Sequence, residues 1–203
     1  MTPKDIVEMI NGAPKAGRRR LVGLVGAPAS GKTTLAHAIA ALDDTISVVP
    51  MDGYHLDNRL LEKRGLLARK GAPETFDAAG FAHLLRRLAS GEDAIYPTFD
   101  RTSDRSIAGS GEISDGCETI LVEGNYLLLD RPQWRPLADL WDLSLFLDVP
   151  MDALRQRLLD RWNTYGFDEE AAARKADEND LPNASLVYNA SLPADITLNA
   201  VKL

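Results

Sequence analysis

The chain has 203 residues, of which 45% are hydrophobic, enough to build the core of one domain. Its formal net charge of −7 argues against a protein that binds nucleic acid or an anionic membrane, and Arg18 to Arg20 form the only tight basic run. The single cysteine, Cys117, excludes an internal disulfide and a cysteine-based metal cluster. Charged residues near the N-terminus predict that there is no signal peptide, and the lack of an apolar run of about 20 residues predicts that there is no membrane span. We therefore expect a cytoplasmic protein.

The hydrophobic pattern predicts helices and strands in alternation. A short amphipathic helix is expected at 3–11, followed by further helices at 33–42, 77–90, 151–162 and 168–178. Strands are expected at about 20–25, 47–51, 119–122, 143–147 and 195–198. Several of these segments are apolar throughout, which is typical of strands covered on both faces. The order predicts a single α/β domain over 1–203 with a doubly wound, mostly parallel sheet, whose ligands bind beyond the carboxyl ends of the strands.

A phosphate-binding motif follows the first predicted strand directly. Its residues have the spacing G-x-x-x-x-G-K-T of a P-loop and run Gly26, Ala27, Pro28, Ala29, Ser30, Gly31, Lys32, Thr33, with Thr34 next in the helix. The glycines let backbone amides point at phosphate oxygens, and the start of the helix adds its positive dipole end. Lys32 is expected to reach the β- and γ-phosphates, and the Thr33 hydroxyl to hold Mg²⁺. The motif therefore predicts a site for a nucleoside triphosphate with magnesium.

Two acidic residues come directly after predicted strands. Asp52 follows the second strand, where a carboxylate can accept the proton of a substrate hydroxyl or orient it; a simple turn with Gly53 is the alternative. Glu123 follows the third strand, where an acid can hold Mg²⁺ through water, and Asp148 after the fourth strand competes for that role. We favour Glu123, because Pro150 and the helix after it indicate a plain strand-to-helix turn at Asp148.

The helix predicted at 151–162 carries two arginines, Arg157 and Arg161, four residues apart on one face. Such arginines can stabilise the oxygens of a phosphoryl group in transfer, although the spacing alone favours a solvated basic face. The polar segment that follows leads into a charged helix, which is typical of a mobile lid and also of a surface hairpin. We place the lid at about 155–180.

Two long inserts rich in aromatic and charged residues lie at about 53–76 and 95–116. They can line a pocket for a small polar substrate or form irregular surface loops. The candidates for substrate contact are Tyr54, His55, Lys70, Phe76, Asp100, Arg101, Asn125 and Tyr126. The three histidines are too scattered for a metal cluster, and the absence of N-K-x-D removes support for a guanine-selective GTPase.

Over about residues 20–163 these motifs resemble the P-loop kinase family that contains uridine kinase, phosphoribulokinase and bacterial pantothenate kinase. The likeness to pantothenate kinase lies in M-D-G-Y, K-R-G-L, R-K-G-A-P-E-T-F-D and V-E-G, which begin at residues 51, 63, 69 and 122. P-T-F-D at 97–100 is more similar to the uridine kinase pattern. The size of the chain and N-D-L-P-N at 179–183 are similar to small members that accompany bacterial sugar importers and are called fructokinase-like.

The resemblance implies a nucleoside-monophosphate-kinase-like fold with five parallel core strands, and ATP with Mg²⁺ as the phosphoryl donor. It implies that Asp52 is the base and that Glu123 is the acid beside the metal. It also implies that Arg157 and Arg161 are catalytic lid arginines, and that Asp100 lies on the substrate side.

The expected function is therefore an ATP-dependent kinase that acts on a hydroxyl of a small metabolite. A sugar-like acceptor is favoured, with pantothenate and nucleosides as alternatives, since Arg101 stands where pantothenate kinase carries a substrate-binding histidine. A nucleotide-binding regulator without transfer activity and a stand-alone ATPase are the rivals from other classes. The expected partner is the small-molecule acceptor, not nucleic acid or a membrane, and a homodimer is left open.

Overall fold

The computed structural model describes residues 1–113, 116–199 and 201. Residues 114 and 115 of the predicted insert at 95–116 lie outside the described residues. The strands are β1 (Arg20–Gly26), β2 (Ile46–Pro50), β3 (Ala94–Asp100), β4 (Arg105–Ile113), β5 (Thr119–Gly124), β6 (Leu143–Asp148) and β7 (Ile196–Asn199). The helices are α1 (Pro3–Gly12), α2 (Lys32–Ala40), α3 (Asn58–Lys63), α4 (Ala78–Ser90), α5 (Met151–Thr164), α6 (Glu169–Lys175) and α7 (Leu181–Ala190).

Five strands form a parallel sheet in the order β2-β5-β1-β6-β7, which confirms the predicted fold. After Arg20, the central strand β1 is apolar and buried, because its two faces are both covered. Leu21 and Val25 face one core cluster, and Val22 and Leu24 face the other. Because all five strands run the same way, the P-loop after β1 and the segments after β2 and β5 meet at one edge of the sheet.

Each face of the sheet has its own core. On one face, α1 and α2 pack against the sheet through apolar residues such as Ile6 and Leu35. On the other face, α4 contributes Phe81 and Leu85, and a 3₁₀ segment before β6 adds the fully buried Trp134 nearby. The two cores hold the strand ends in fixed positions, so the side chains at that edge are placed by a rigid frame. Among the described residues, every helix is too short or too polar to cross a bilayer.

A β-hairpin of β3 and β4 forms a separate two-stranded antiparallel sheet beside the turn after β2. The contact is close: a Cβ atom on Gly53 would lie 1.9 Å from the backbone oxygen of Pro97. Only glycine fits there, and its absent side chain lets the hairpin backbone lie directly against the turn that carries Asp52. The second predicted insert is therefore largely ordered as a hairpin, and this hairpin forms one wall of the site.

The region predicted as a lid, about 155–180, contains most of α5, all of α6 and a π-helical turn (Ala176–Asp180), and α7 follows it directly. The guanidinium of Arg155 on α5 binds both carboxylate oxygens of Asp177 at 2.9 Å. The indole Nε1 of Trp162 donates to Asp180 Oδ2 at 2.7 Å. These bonds connect α5 to the π-helical turn, a feature often found at functional sites.

Candidate active site

The P-loop adopts a strained, anion-binding shape. Ala29 and Gly31 have φ angles of +61° and +95°, values that turn the backbone sharply before α2 begins at Lys32. No side-chain hydrogen bond caps the start of α2, so its first amides are available to an anion. Within the described residues, the buried Ser30 Oγ also finds no hydrogen-bond partner. This geometry suits a phosphate chain, the ligand that the motif predicts.

A hydroxyl and a carboxylate meet beside the P-loop. The hydroxyl of Thr33 donates to Glu123 Oε1 at 3.0 Å, and Glu123 is 3% exposed at the end of β5. Two hard oxygen donors fit Mg²⁺, which typically keeps several waters and takes its other ligands from substrate phosphates. The described part of the chain has no cluster of three or more His, Cys, Asp or Glu that could hold a metal ion.

The charges of Lys32 and Glu123 attract each other beside the P-loop. Burial lowers the pKa of Lys32, while the attraction of Glu123 and Asp52 opposes that shift. Burial likewise raises the pKa of Glu123, and Lys32 opposes the shift. Each group therefore supports the charged form of the other, and a bound phosphate chain with its metal would add compensating charge to both.

Asp52 lies in a short 3₁₀ turn (Met51–Tyr54) directly after β2. Its Oδ2 accepts a hydrogen bond from Arg101 Nη2 at 3.2 Å, and Arg101 follows the last residue of β3. His55 continues the same turn, and its ring Nδ1 lies 2.8 Å from the backbone oxygen of Asp52. The strand end and the hairpin together bring a carboxylate, a guanidinium and an imidazole to one place.

These groups open into one cavity of about 1090 Å³. The P-loop lines it with Pro28, Ala29, Gly31, Lys32, Thr33 and Thr34, and the first insert and the hairpin provide further lining residues. Side chains of α5, α6, the π-helical turn and α7 form the remaining wall. Asp52 lines the same cavity, so a ligand on the P-loop and a second small molecule can share it.

The two predicted lid arginines both line the cavity but differ in their contacts. Arg157 Nη1 donates to the backbone oxygens of Ala29 at 3.3 Å and Ser30 at 2.9 Å, so it holds the P-loop itself. Arg161 packs against the Trp162 ring, with its Cζ 5.5 Å from the ring centroid. Its Nε is buried and has no hydrogen-bond partner in the described structure. Arg161 therefore has donor capacity that a phosphate oxygen can take up.

The predicted substrate residues divide into two groups. The residues that line the cavity are His55, Lys70, Phe76, Arg101 and Asn125. The other three have local structural partners instead. Tyr54 packs on Phe81, Asp100 accepts hydrogen bonds from Thr102 N and Ser103 Oγ in the hairpin turn, and the buried Tyr126 hydroxyl donates to Gly71 O. Burial also raises the pKa of Tyr126, as expected for a structural phenol.

Several cavity residues were not expected from the sequence: Asn58, Phe99, Asp104, Trp162, Lys175, Asp180 and Asn183. Trp162 lies in the helix predicted at 151–162, and no helix was predicted at Leu181–Ala190. Asn58, Phe99 and Asp104 lie within the two predicted inserts, whose aromatic and charged character was the usable signal. Asn183 belongs to the N-D-L-P-N segment, which gave no indication of a lining role.

The carboxyl of Asp180 lies partly buried at the end of the π-helical turn. Burial raises its pKa, while the bond from Trp162 and the charges of Arg161 and Lys175 oppose the shift. Because the pKa of this carboxyl is higher in the folded state than in the unfolded state, its protonation stabilises the folded state. The contribution is complete below the unfolded pKa of about 3.9, and it is lost as the pH rises through the folded pKa.

We therefore expect Asp180→Asn to be pH-dependent in its effect on stability. The amide oxygen keeps the acceptor for the Trp162 indole but cannot ionise. The free energy of unfolding of the variant, relative to the natural chain, should rise between about pH 4 and pH 7. Urea unfolding curves across that range measure it, and a difference that stays flat or falls with pH would contradict the assignment.

Comparisons with known proteins show which proteins the chain is similar to. A crystal structure from Silicibacter sp. TM1040, provisionally named a fructose transport system kinase, is 49% identical, with a TM-score of 0.91 over 98% of this chain and 100% of that one. A Schizosaccharomyces pombe protein provisionally named uridine kinase C227.14 is 31% identical over 203 residues, covering 93% of this chain and 86% of its own length. Protein YggC of Escherichia coli, which is uncharacterized, is 35% identical over 185 residues, covering 88% of this chain and 77% of YggC. No protein-family model matches the chain.

Pantothenate kinase and phosphoribulokinase are also among the proteins to which the chain is similar. The chain belongs to the family of P-loop kinases that contains uridine kinase, pantothenate kinase and phosphoribulokinase. It is a phosphotransferase, as the sequence predicted.

Proposed function

We propose that the protein transfers the γ-phosphoryl group of ATP, with Mg²⁺, to a hydroxyl of a small metabolite, most readily a sugar or sugar-like compound. The main support for the proposal is the single cavity that is lined by the P-loop, the insert and the hairpin. Thr33 of the P-loop lies beside Glu123, and Asp52 lines the same cavity as the insert and the hairpin.

Each residue has a role that follows from its position. The amides of the P-loop and the Lys32 ammonium bind the phosphate chain, and Thr33 and Glu123 place Mg²⁺, which supplies charge neutralisation when bound. Arg161 binds the oxygens of the phosphoryl group in transfer through its unsatisfied donors. Asp52 accepts a hydrogen bond from the acceptor hydroxyl and orients it toward the phosphorus. Transfer then depends chiefly on positioning and charge stabilisation.

The preference for a sugar-like acceptor rests on the similarity to the Silicibacter protein, because its provisional name refers to fructose transport. The similarities to a provisionally named uridine kinase and to pantothenate kinase make a nucleoside and pantothenate the alternatives.

ADP release measures the proposed reaction directly. The protein is incubated with ATP, Mg²⁺ and single members of a panel of sugars, nucleosides and pantothenate, and a sample without acceptor serves as the control. ADP formation that depends on the acceptor supports a kinase. ATP binding without any response to an acceptor identifies a nucleotide-binding regulator, and ADP formation that needs no acceptor identifies an ATPase.

A further inference from the structure

The positive charges that line the cavity fall into two separate sets. Those on the insert and hairpin, Arg69, Lys70 and Arg101, each have a carboxylate partner, at 3.9 Å, 2.9 Å and 3.2 Å. The others are Lys32, Arg157, Arg161, Arg174, which pairs with Glu170, and Lys175. The charges of the insert and the hairpin are therefore balanced by neighbouring carboxylates.

The positive charge of Lys70 in the first insert is balanced by oxygen atoms around it. Its ammonium contacts Asp104 Oδ2 at 2.9 Å, Asp104 O at 2.7 Å and Asn58 Oδ1 at 2.6 Å, and the side chain is only 13% exposed. An ammonium has three protons to donate, and three oxygens already take them. Lys70 thus connects the insert to the hairpin, and a carboxylate or phosphate on an acceptor would have to displace these bonds.

His55 presents a hydrogen-bond acceptor to the same cavity. A backbone carbonyl can only accept, so the short contact to Asp52 O requires the proton on Nδ1 and leaves Nε2 of the neutral ring with a lone pair. The ring lies between Phe76 and Phe99, with centroid distances of 4.0 Å and 4.6 Å. Burial among these rings lowers the pKa of His55, so the neutral form dominates near pH 7. The neutral ring is thereby held in one orientation and one tautomer.

Other atoms of this wall also accept hydrogen bonds and do not donate them. Asn125 Oδ1 is buried in the cavity wall, and the described residues provide no donor for it. The carboxylates of Asp52 and Asp104 line the same cavity. These acceptor atoms are satisfied by hydroxyl groups, which donate, and not by carboxylates or phosphates, which only accept.

Given the proposed kinase function, we propose that the phosphoryl acceptor is an uncharged polyhydroxyl compound, and that His55 selects it by accepting a hydrogen bond from one hydroxyl through Nε2. His55 acts here as a specificity-determining residue. The proposal excludes pantothenate, hydroxy acids and sugar phosphates as good acceptors, because each carries an anionic group.

Matched pairs of acceptors test the charge preference. Glycerol is compared with D-glycerate, sorbitol with D-gluconate, and D-fructose with D-fructose 6-phosphate, each pair differing in an anionic group. We expect the neutral member of any reactive pair to have a kcat/KM at least about tenfold higher, since an uncompensated polar mismatch in a site of this kind costs that much or more. A preference for the anionic members would overturn the proposal while leaving the kinase assignment intact. No ADP formation with any acceptor would instead remove the kinase assignment, and this proposal with it.

A substitution at His55 tests the selecting residue. In His55→Asn the amide nitrogen can keep the bond to Asp52 O, while the atom at Nε2 is lost. For the best neutral acceptor we expect kcat/KM to fall about 10–100-fold, mainly through KM, with the KM for ATP unchanged. His55→Gln, whose amide oxygen reaches the Nε2 position, should recover part of the loss. His83→Asn on the exposed face of α4 is the matched control.

An acceptor KM that is unchanged in His55→Asn would overturn the role of His55. Equal increases in the KM for ATP and in the KM for the acceptor would also overturn it, because they would indicate a general disturbance of the turn that holds Asp52. Circular dichroism and the unfolding midpoint of each variant confirm that the comparison concerns folded protein.

Discussion

Asp52→Asn is expected to lower kcat by about 10²–10⁴-fold while ATP binding is retained. Asparagine has nearly the same shape, so the turn after β2 should persist, but its neutral amide is a weak acceptor for a hydroxyl proton. The loss should fall on kcat because the carboxylate acts on the acceptor hydroxyl during transfer and not on the nucleotide. Arg101 also loses its ionic partner in this variant, which removes a further restraint on the hairpin turn.

The measurement needs two readouts. Acceptor-dependent ADP release gives kcat, and calorimetric titration with ATP and Mg²⁺ gives the affinity of the nucleotide. Asp148→Asn is the matched control, since Asp148 also ends a strand of the sheet but does not line the cavity. Near-normal turnover in Asp52→Asn would show that the base assignment is wrong.

The sequence could predict those parts of the site that depend on residues close together in the chain. The P-loop is a continuous run with fixed spacing, and the carboxylates of Asp52 and Glu123 follow strands whose apolar pattern is unmistakable. The topology of parallel sheets then requires their ends to meet at one edge, so the proximity of Thr33 and Glu123 follows without coordinates. The sheet itself was predictable for the same reason, because strands buried on both faces have a strong hydrophobic signal.

The parts that sequence could not predict depend on contacts between distant segments. Asp52 and Arg101 are 49 residues apart, and they meet only because the hairpin of β3 and β4 lies against Gly53. Strand β4 is mostly exposed and contains glycine and small polar residues, so it lacks the alternation that marks a strand. The bond between Trp162 and Asp180 likewise joins α5 to a π-helical turn that no periodicity indicates.

Arg161→Gln is expected to lower kcat by about 10²–10³-fold with a small change in the KM for ATP. Glutamine keeps much of the length and polarity of the side chain but loses the charge and the forked donors that bind a phosphoryl group in transfer. The buried, unpartnered Nε of Arg161 indicates that its donors are not used by the described protein in the absence of a ligand. Its contribution should therefore appear when charge develops on the transferring group.

Arg157→Gln is the matched comparison, because Arg157 lies one helical turn away on the same helix and is engaged with the P-loop. Its Nη1 holds the carbonyls of Ala29 and Ser30, so its loss should loosen the phosphate cradle and raise the KM for ATP by about tenfold, with less effect on kcat. Steady-state kinetics with ATP varied at saturating acceptor separate the two effects. If both variants lose kcat equally, or if Arg161→Gln changes only the KM for ATP, the division of roles between the two lid arginines is wrong.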